Sequence, residues 1–248
     1  CNFFLAETTY WGGQIIFTLF IIGILLSVAR IIAMAILASI QKRKDKKSES
    51  DAFPVFLLGG ENKYPLVSII VPAYNEEVNA IRTMNSLLAQ DYPELEIIFV
   101  DDGSKDKTFL RVNDAFKDNS TVRVYTKING GKASALNFGI QKSNAEYVVC
   151  IDADTQLKTD AITLLMKKFE NESVGAVAGN VKVGNEMNMI TKWQSIEYIT
   201  SQNFDRRAFD LLNCITVIPG AIGAFSKDAI LISGGFTTDT LAEDCDHT

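Results

Sequence analysis

Residues 66–103 read LVSIIVPAYNEEVNAIRTMNSLLAQDYPELEIIFVDDG, and this stretch decides the fold class. Two short runs rich in β-branched residues, 66–74 and 95–103, flank a segment at 76–90 whose apolar residues recur every three or four positions. The runs are typical of strands, and the segment between them is typical of an amphipathic helix. Runs such as SIIV are apolar on both faces, which indicates strands of a parallel sheet that is covered on both sides.

The same alternation continues towards the C-terminus. Further strands are predicted at 122–127 and 146–154, and further helices at 105–119 and 131–143. Alternating strands and helices predict an α/β fold with a mainly parallel sheet flanked by helices. In such sheets ligands bind beyond the carboxyl ends of the strands, where each predicted strand is followed by a polar cluster. These clusters are NEE at 75–77, DDGS at 101–104, NGGK at 129–132 and DADT at 152–155.

The polar clusters carry residue types that suit a nucleotide and a divalent cation. Asp152 and Asp154 stand two positions apart at a strand end, and Mg²⁺ or Mn²⁺ typically takes one or two protein carboxylates together with diphosphate oxygens. Asp101 and Asp102 offer acceptors for a base or a ribose, and Lys132 could meet a uracil oxygen or a phosphate. Neither G-x-G-x-x-G nor G-x-x-x-x-G-K-[ST] occurs, which disfavours dinucleotide oxidoreductases and P-loop NTPases.

An apolar segment precedes this α/β pattern. Residues 15–40 contain one charge, Arg30, and are long enough to cross a bilayer as a helix, with 1–14 as its extracytoplasmic end. The basic sequence QKRKDKK follows directly, so the positive-inside rule puts everything beyond residue 41 in the cytoplasm, anchored to the plasma membrane. Residues 41–64 are predicted to be a basic juxtamembrane linker, and 65–248 the α/β domain. No Lys or Arg precedes the apolar segment, which argues against a cleaved signal peptide.

Composition excludes several other classes. The formal net charge is -6, without the basic excess of a nucleic-acid-binding protein, so no nucleic acid partner is expected. Four cysteines without a CxxC pair disfavour a disulfide framework or a zinc site, and His247 is the single histidine. The chain does not begin with Met and ends abruptly after a charged motif, so we expect it to be a fragment.

Six motifs in order resemble glycosyltransferase family 2, the inverting transferases with a GT-A fold. The resemblance runs from about residue 66 to residue 248 and is closest to the membrane-bound processive synthases of β-linked N-acetylglucosamine polymers. The motifs are VSIIVPAYNEE, VDDGS, GGKASALNFGI, DADT, PGAIGAF and LAEDCD.

The resemblance implies a role for each matched position. Asp154, assisted by Asp152, would bind Mg²⁺ or Mn²⁺, and Asp244 corresponds to the general base of the family. The nucleoside pocket would be lined by Pro72, Ala73, Tyr74, Glu76, Asp102 and Lys132. The acceptor sugar would be bordered by Gly220, Ala221 and Gly223 of PGAIGAF and by Glu243.

The implied function is membrane-anchored inverting transfer of a sugar, N-acetylglucosamine, from a UDP-sugar to a growing β-linked polysaccharide. Three departures from the family pattern bear on the acceptor: the QxxRW motif with the later membrane helices is absent, Ser226 replaces a basic residue, and His247 replaces an aliphatic one. The alternatives are a lipid-phosphate glycosyltransferase, a nucleotide-sugar pyrophosphorylase or oxidoreductase, and a catalytically silent, membrane-tethered nucleotide-binding module.

Overall fold

The computed structural model describes residues 2–48, 56–58, 61–171, 173–182, 184, 189–198, 200, 204–212, 218 and 220–237. The chain divides into two compact units. The helical unit consists of Cys1–Glu49 with Lys182–Cys214, and the sheet unit of Ser50–Val181 with Ile215–Thr248.

The secondary structure alternates between strands and helices from residue 67 to residue 166. The helices within the described residues are α1 (Asn2–Ser48), α2 (Ala80–Leu88), α3 (Thr108–Phe116), α4 (Lys132–Lys142), α5 (Ala161–Met166), α6 (Met189–Tyr198), α7 (Arg206–Leu211) and α8 (Lys227–Ser233). The strands are β1 (Phe56–Leu58), β2 (Glu61–Lys63), β3 (Val67–Ala73), β4 (Leu95–Asp101), β5 (Val122–Thr126), β6 (Tyr147–Ile151), β7 (Ala176–Ala178) and β8 (Ile222–Ser226).

Six strands form the central sheet, in the order β5-β4-β3-β6-β8-β7. Strands β3 to β6 run parallel, and β8 runs antiparallel to both β6 and β7. The register pairs Ala73 with Asp101 and Asp101 with Thr126, so β3, β4 and β5 end at one edge of the sheet. A separate antiparallel pair is formed by β1 and β2. The prediction of a mainly parallel sheet with flanking helices is therefore confirmed.

Helices cover both faces of this sheet, so the central strand β3 is buried along its whole length. All seven residues of β3 are buried. Ile69 and Phe99 belong to a core cluster that includes Met84 of α2, whereas Ile70 belongs to a second cluster that includes Leu136 of α4. Burying a side chain of this size contributes about 1.5–3 kcal/mol, so the two clusters fix the positions of the loops at the sheet edge.

The strands end earlier than the sequence pattern predicts. β4 ends at Asp101 rather than at 103, and β6 ends at Ile151 rather than at 154. After β6 the chain turns away from the sheet, and the carbonyl of Asp152 accepts the N–H of Thr155 at 3.0 Å. After β4 the N–H of Asp102 still donates to the carbonyl of Ala73 at 2.8 Å, and the chain leaves the sheet beyond that bond. The polar clusters therefore form loops at the carboxyl edge and do not extend the strands.

Helix α1 is longer than the predicted membrane span. It runs from Asn2 to Ser48 and contains the whole of 15–40 together with the whole basic sequence QKRKDKK at 41–47. Within it, Trp11–Lys44 is the one described helical stretch that is long and apolar enough to cross a membrane. Near its C-terminal end, Gln41 Nε2 donates a hydrogen bond to Asp210 Oδ2 of α7 at 2.5 Å, which joins these two helices of the helical unit.

Candidate active site

A cavity of about 540 Å³ lies at the carboxyl edge of β3, β4 and β6. Its wall is formed by the loop after β3, the residue after β4, the start of α4 and the turn after β6, which is where parallel sheets of this kind bind ligands. The lining residues are Pro72, Ala73, Tyr74, Glu76, Asp102, Asn129, Gly131, Lys132, Ala135, Asp152, Ala153 and Asp154.

The carboxylate of Asp102 organises the loop that precedes α4. It accepts hydrogen bonds from Lys127 Nζ at 2.6 Å, from the N–H of Gly130 at 3.1 Å and from the N–H of Gly131 at 2.8 Å. The Asp102 side chain is only 4% exposed, so these donors replace most of its hydration. Asp102 thereby fixes residues 127–131 as one wall of the cavity.

Two glycines allow this loop and the one after β4 to meet. Gly103 has φ of 72°, and a Cβ atom there would lie 2.9 Å from the backbone nitrogen of Asn129. Gly131, with φ of 86°, is the N-cap of α4. A side chain at either position would be strained, because φ in this range is left-handed backbone that L-residues seldom adopt.

The structure places Asp101 behind the cavity wall and not on its surface. Its carboxylate accepts the hydroxyl of Thr126 at 2.8 Å and the N–H of Ser104 at 3.3 Å. The residue is 2% exposed, and its Oδ1 atom has no hydrogen-bond partner among the described residues. Of the two adjacent aspartates, Asp102 lines the cavity, whereas Asp101 braces the ends of β4 and β5.

The loop after β3 is held by the loop after β4. Asn75, with φ of 57°, accepts the N–H of Lys105 at 2.8 Å through its side chain and donates its own N–H to Ser104 Oγ at 2.9 Å. The N–H of Glu76 likewise donates to Thr108 Oγ1 at 2.8 Å. These bonds orient Tyr74, which is 42% exposed, and Glu76 at the rim of the cavity.

Asp106 strengthens the same connection. Its carboxylate accepts the N–H of Glu77 at 3.2 Å and both the N–H and the hydroxyl of Thr108. Burial acts to raise the pKa of the Asp106 carboxyl, but the hydrogen bonds from Thr108 and Glu77 together outweigh it and hold the pKa below its ordinary value. The ionised form of Asp106 is therefore the one that holds the two loops together.

The turn after β6 presents two carboxylates to the cavity. Asp152 Oδ1 lies 2.9 Å from Lys132 Nζ, and both side chains are about one-third exposed. The turn itself is fixed by Thr83 of α2, whose hydroxyl donates to the carbonyl of Ala153 at 2.8 Å. Asp154 is exposed and lines the same cavity.

These oxygen donors fit a hard divalent cation. The described residues contain no cluster of three or more metal-ligating side chains, so protein ligands would come from Asp152 and Asp154, with the remainder from water and a bound ligand. The lining residues include four carboxylates and one ammonium group, so the cavity is acidic. A diphosphate would be repelled by these carboxylates unless a cation accompanied it.

Eight residues singled out from the sequence line this one cavity: Pro72, Ala73, Tyr74, Glu76, Asp102, Lys132, Asp152 and Asp154. Sequence reasoning missed Asn129, Gly131, Ala135 and Ala153. Each of these four belongs to a motif that had been singled out, so motif membership was the available signal. Membership alone does not say which side of a loop faces the ligand.

The predicted acceptor residues that the structure describes, Gly220, Ala221 and Gly223, are not among the residues that line the cavity. Gly220 and Ala221 precede β8, and the carbonyl of Ala221 faces the N–H of Asp152 at 3.5 Å. Gly223 lies within β8, where a Cβ atom would stand 2.7 Å from the side chain of Ile218, so close packing accounts for this glycine.

The sequence also singles out Ser226, Glu243 and Asp244. Ser226 is the last residue of β8 and pairs with Tyr147 at the start of β6, which is the sheet edge opposite the cavity. Glu243 and Asp244 lie outside the described residues.

The profile of glycosyl transferase family 2 matches residues 68–231. The poly-beta-1,6-N-acetyl-D-glucosamine synthase of Staphylococcus epidermidis is 37% identical over 179 residues, which are 72% of this chain and 43% of that protein. The chain thus spans less than half the length of the curated relatives that it matches.

Solved structures share the fold. The mannosyltransferase PcManGT from Pyrobaculum calidifontis, in complex with GDP-Man and Mn²⁺, aligns with a TM-score of 0.60 and 25% identity over 90% of this chain and 60% of that one. S. aureus TarS 1-349 in complex with UDP-GlcNAc aligns with a TM-score of 0.52 and 20% identity over 72% of this chain and 51% of that one. The second likeness concerns the fold alone.

Proposed function

The chain belongs to glycosyl transferase family 2, and on that basis we propose that it carries the donor site of a membrane-anchored inverting enzyme. The enzyme transfers N-acetylglucosamine from UDP-N-acetylglucosamine to a growing β-linked polysaccharide. The observation that carries this proposal is the convergence of Tyr74, Asp102, Lys132, Asp152 and Asp154 on one acidic cavity at the carboxyl edge of the sheet.

The nucleoside is bound by the part of the cavity nearest β3 and β4. Pro72, Ala73 and Glu76 form its floor and rim, and the half-exposed ring of Tyr74 offers an apolar face to the base. Asp102 acts mainly through the loop that it holds in place, since its carboxylate already accepts several hydrogen bonds. Asp101 contributes as a buried brace, without touching the nucleotide.

The diphosphate lies between Lys132 and the carboxylates that follow β6. Asp152 and Asp154 are the residues that would hold Mg²⁺ or Mn²⁺, and the ion, when bound, offsets the charge that develops on the leaving diphosphate. The Mn²⁺ and GDP-Man of the PcManGT complex support a divalent ion beside a nucleotide-sugar in this fold. Lys132, at the first turn of α4, supplies a further positive charge.

Transfer is a single displacement at the anomeric carbon of the donor sugar. A hydroxyl of the acceptor sugar loses its proton to Asp244 while its oxygen bonds to the anomeric carbon, and the bond from that carbon to the UDP oxygen breaks with inversion. A positioned base of this kind contributes about 10²- to 10⁴-fold to the rate. The assignment of Asp244, and of Glu243 beside the acceptor, rests on the LAEDCD motif.

The acceptor and the membrane anchor are inferred from the relatives and from α1. The curated relatives are named as synthases of a poly-β-1,6-linked N-acetylglucosamine, which supports a polysaccharide acceptor. The exposed apolar length of Trp11–Lys44 and the basic residues that follow 15–40 support an anchor in the plasma membrane with the sheet unit in the cytoplasm.

Donor binding tests the ion site directly. UDP binding to the full-length protein in detergent would be measured by calorimetry with and without Mn²⁺. We expect Asp154→Ala to abolish the Mn²⁺-dependent part of this binding, because the metal ion loses one of its two proposed carboxylate ligands. Asp118→Ala, at an exposed position after α3, is the matched control and keeps wild-type binding. Undiminished UDP binding by Asp154→Ala would reject the ligand role.

Product formation tests the reaction. We expect Asp244→Asn to bind UDP normally and to lose transfer of radiolabelled N-acetylglucosamine by at least about 10²-fold, while Asp246→Asn, in the same acidic segment, retains transfer. Transfer by Asp244→Asn within a few-fold of wild type contradicts the base assignment. A lipid-linked monosaccharide in place of a polymer would favour the glycolipid alternative, and turnover of GDP-mannose in place of UDP-N-acetylglucosamine would overturn the donor assignment.

A further inference from the structure

The ion pair between Lys132 and Asp152 joins two groups that the donor site uses for different purposes. Lys132 Nζ lies 2.9 Å from Asp152 Oδ1, and both side chains line the cavity. Asp152 is one of the two carboxylates assigned to the divalent ion, whereas Lys132 is assigned to the diphosphate. The ammonium therefore lies against a carboxylate oxygen that a metal ion would use.

The pair has a simple electrostatic origin. The cavity contains four carboxylates, so a neighbouring ammonium group lowers the repulsion among them. The backbone of Lys132 is fixed because it lies in the first turn of α4. The preceding residue, Gly131, donates its N–H to the Asp102 carboxylate at 2.8 Å. The Lys132 side chain is long and one-third exposed, so the ammonium can leave Asp152 and reach a ligand in the same cavity.

We propose that Lys132 acts as a stand-in cation that keeps the divalent ion weakly bound until the nucleotide arrives. In the nucleotide-free protein Lys132 neutralises Asp152 and competes with the metal ion. When the diphosphate enters, the ammonium moves to its oxygens and leaves Asp152 to the metal ion. This inference rests on the proposed donor site and adds to it a coupling between metal and nucleotide: each increases the affinity of the protein for the other.

The size of the competition follows from the exposure of the pair. An ion pair that is one-third exposed contributes modestly, so removing the ammonium should tighten metal binding by about fivefold at low salt. The same change removes a charged donor to the diphosphate and should weaken UDP binding by about tenfold when the metal ion is saturating. The two effects have opposite signs, which a lysine with a purely structural or purely phosphate-binding role does not produce.

Mn²⁺ binding without nucleotide is the decisive measurement. We would titrate Mn²⁺ into the full-length protein in detergent and measure the concentration of free Mn²⁺ by electron paramagnetic resonance. Lys132→Met and Lys132→Gln are expected to bind Mn²⁺ about fivefold more tightly than wild type, and Lys132→Arg is expected to match wild type. Lys117→Met, which removes an exposed lysine at the end of α3, controls for overall charge and should leave the affinity unchanged.

The outcomes separate this inference from the donor-site proposal. Unchanged or weaker Mn²⁺ binding in both neutral variants overturns the stand-in role, even if UDP binding falls, because the lysine would then serve the phosphates alone. The stand-in role is supported if the neutral Lys132 variants bind Mn²⁺ more tightly than wild type and if this gain is lost when Asp152→Asn is added to them. If wild-type protein fails to bind UDP at any Mn²⁺ concentration, the donor-site proposal fails and the nucleotide half of the inference fails with it.

Discussion

Replacing Asp102 with asparagine is expected to loosen the loop before α4 and to weaken nucleotide binding. In the wild-type protein the Asp102 carboxylate accepts Lys127 Nζ at 2.6 Å and the N–H of Gly131 at 2.8 Å, together with the N–H of Gly130. Asparagine has nearly the same shape, but it is neutral and has one oxygen in place of two. Its amide group would be a donor facing other donors.

The expected magnitude follows from these contacts. Loss of a hydrogen bond to a charged group costs about 1.5–3 kcal/mol, and a backbone N–H without an acceptor costs about 1–3 kcal/mol. The Lys127 side chain is 18% exposed and can turn towards water, so the sum must be reduced. We therefore expect the ordered loop to be destabilised by about 2–3 kcal/mol. A loss of about 2 kcal/mol from the free energy of UDP binding corresponds to about a thirtyfold rise in the Kd for UDP.

Calorimetry with UDP at saturating Mn²⁺ measures this loss in the full-length protein, and thermal unfolding reports the accompanying change in stability. Asp118→Asn, an exposed neutralisation after α3, is the control. A double-mutant cycle with Lys127→Met should give a coupling free energy of about 1 kcal/mol or more, because the two side chains are in contact. A Kd for Asp102→Asn within threefold of wild type, with additive effects in the cycle, would refute the loop-ordering role.

Two further predictions concern the same loops. Gly103→Ala should lower the free energy of unfolding by about 2 kcal/mol in a denaturation assay, because φ of 72° is left-handed and the new Cβ would lie 2.9 Å from the Asn129 nitrogen. Gly184→Ala is the control: no atom lies within 4 Å of its new Cβ, so it should lower the free energy of unfolding far less. Asp106→Asn should lower the Tm above pH 3.8, the ordinary pKa of the carboxyl, because the folded-state pKa is depressed by the hydrogen bonds from Thr108 and Glu77. That difference in Tm should shrink as pH falls through the folded-state pKa, and a difference independent of pH would contradict the argument.

The sequence predicted most of the fold because the patterns that encode it are local. Strands β3 to β6 and helices α2 to α4 lie where the apolar periodicity placed them, apart from shorter ends. The antiparallel strand β8 was missed, and its segment, within PGAIGAF, was predicted only to border the acceptor sugar. Its sequence, IGAFS, contains a single β-branched residue, which is too few to indicate a strand, and its place between β6 and β7 depends on pairing with distant residues.

The sequence by itself determined which residues were available to the site, because parallel strands bring their carboxyl ends to one edge and the polar clusters follow those strands. Only the tertiary structure decided which role each residue within a polar cluster has. Asp101 and Asp102 are adjacent and chemically identical, yet one is buried against Thr126 and the other lines the cavity and holds Lys127. The choice depends on strand register and on partners about 25 residues away along the chain, and such partners leave no local pattern in the sequence.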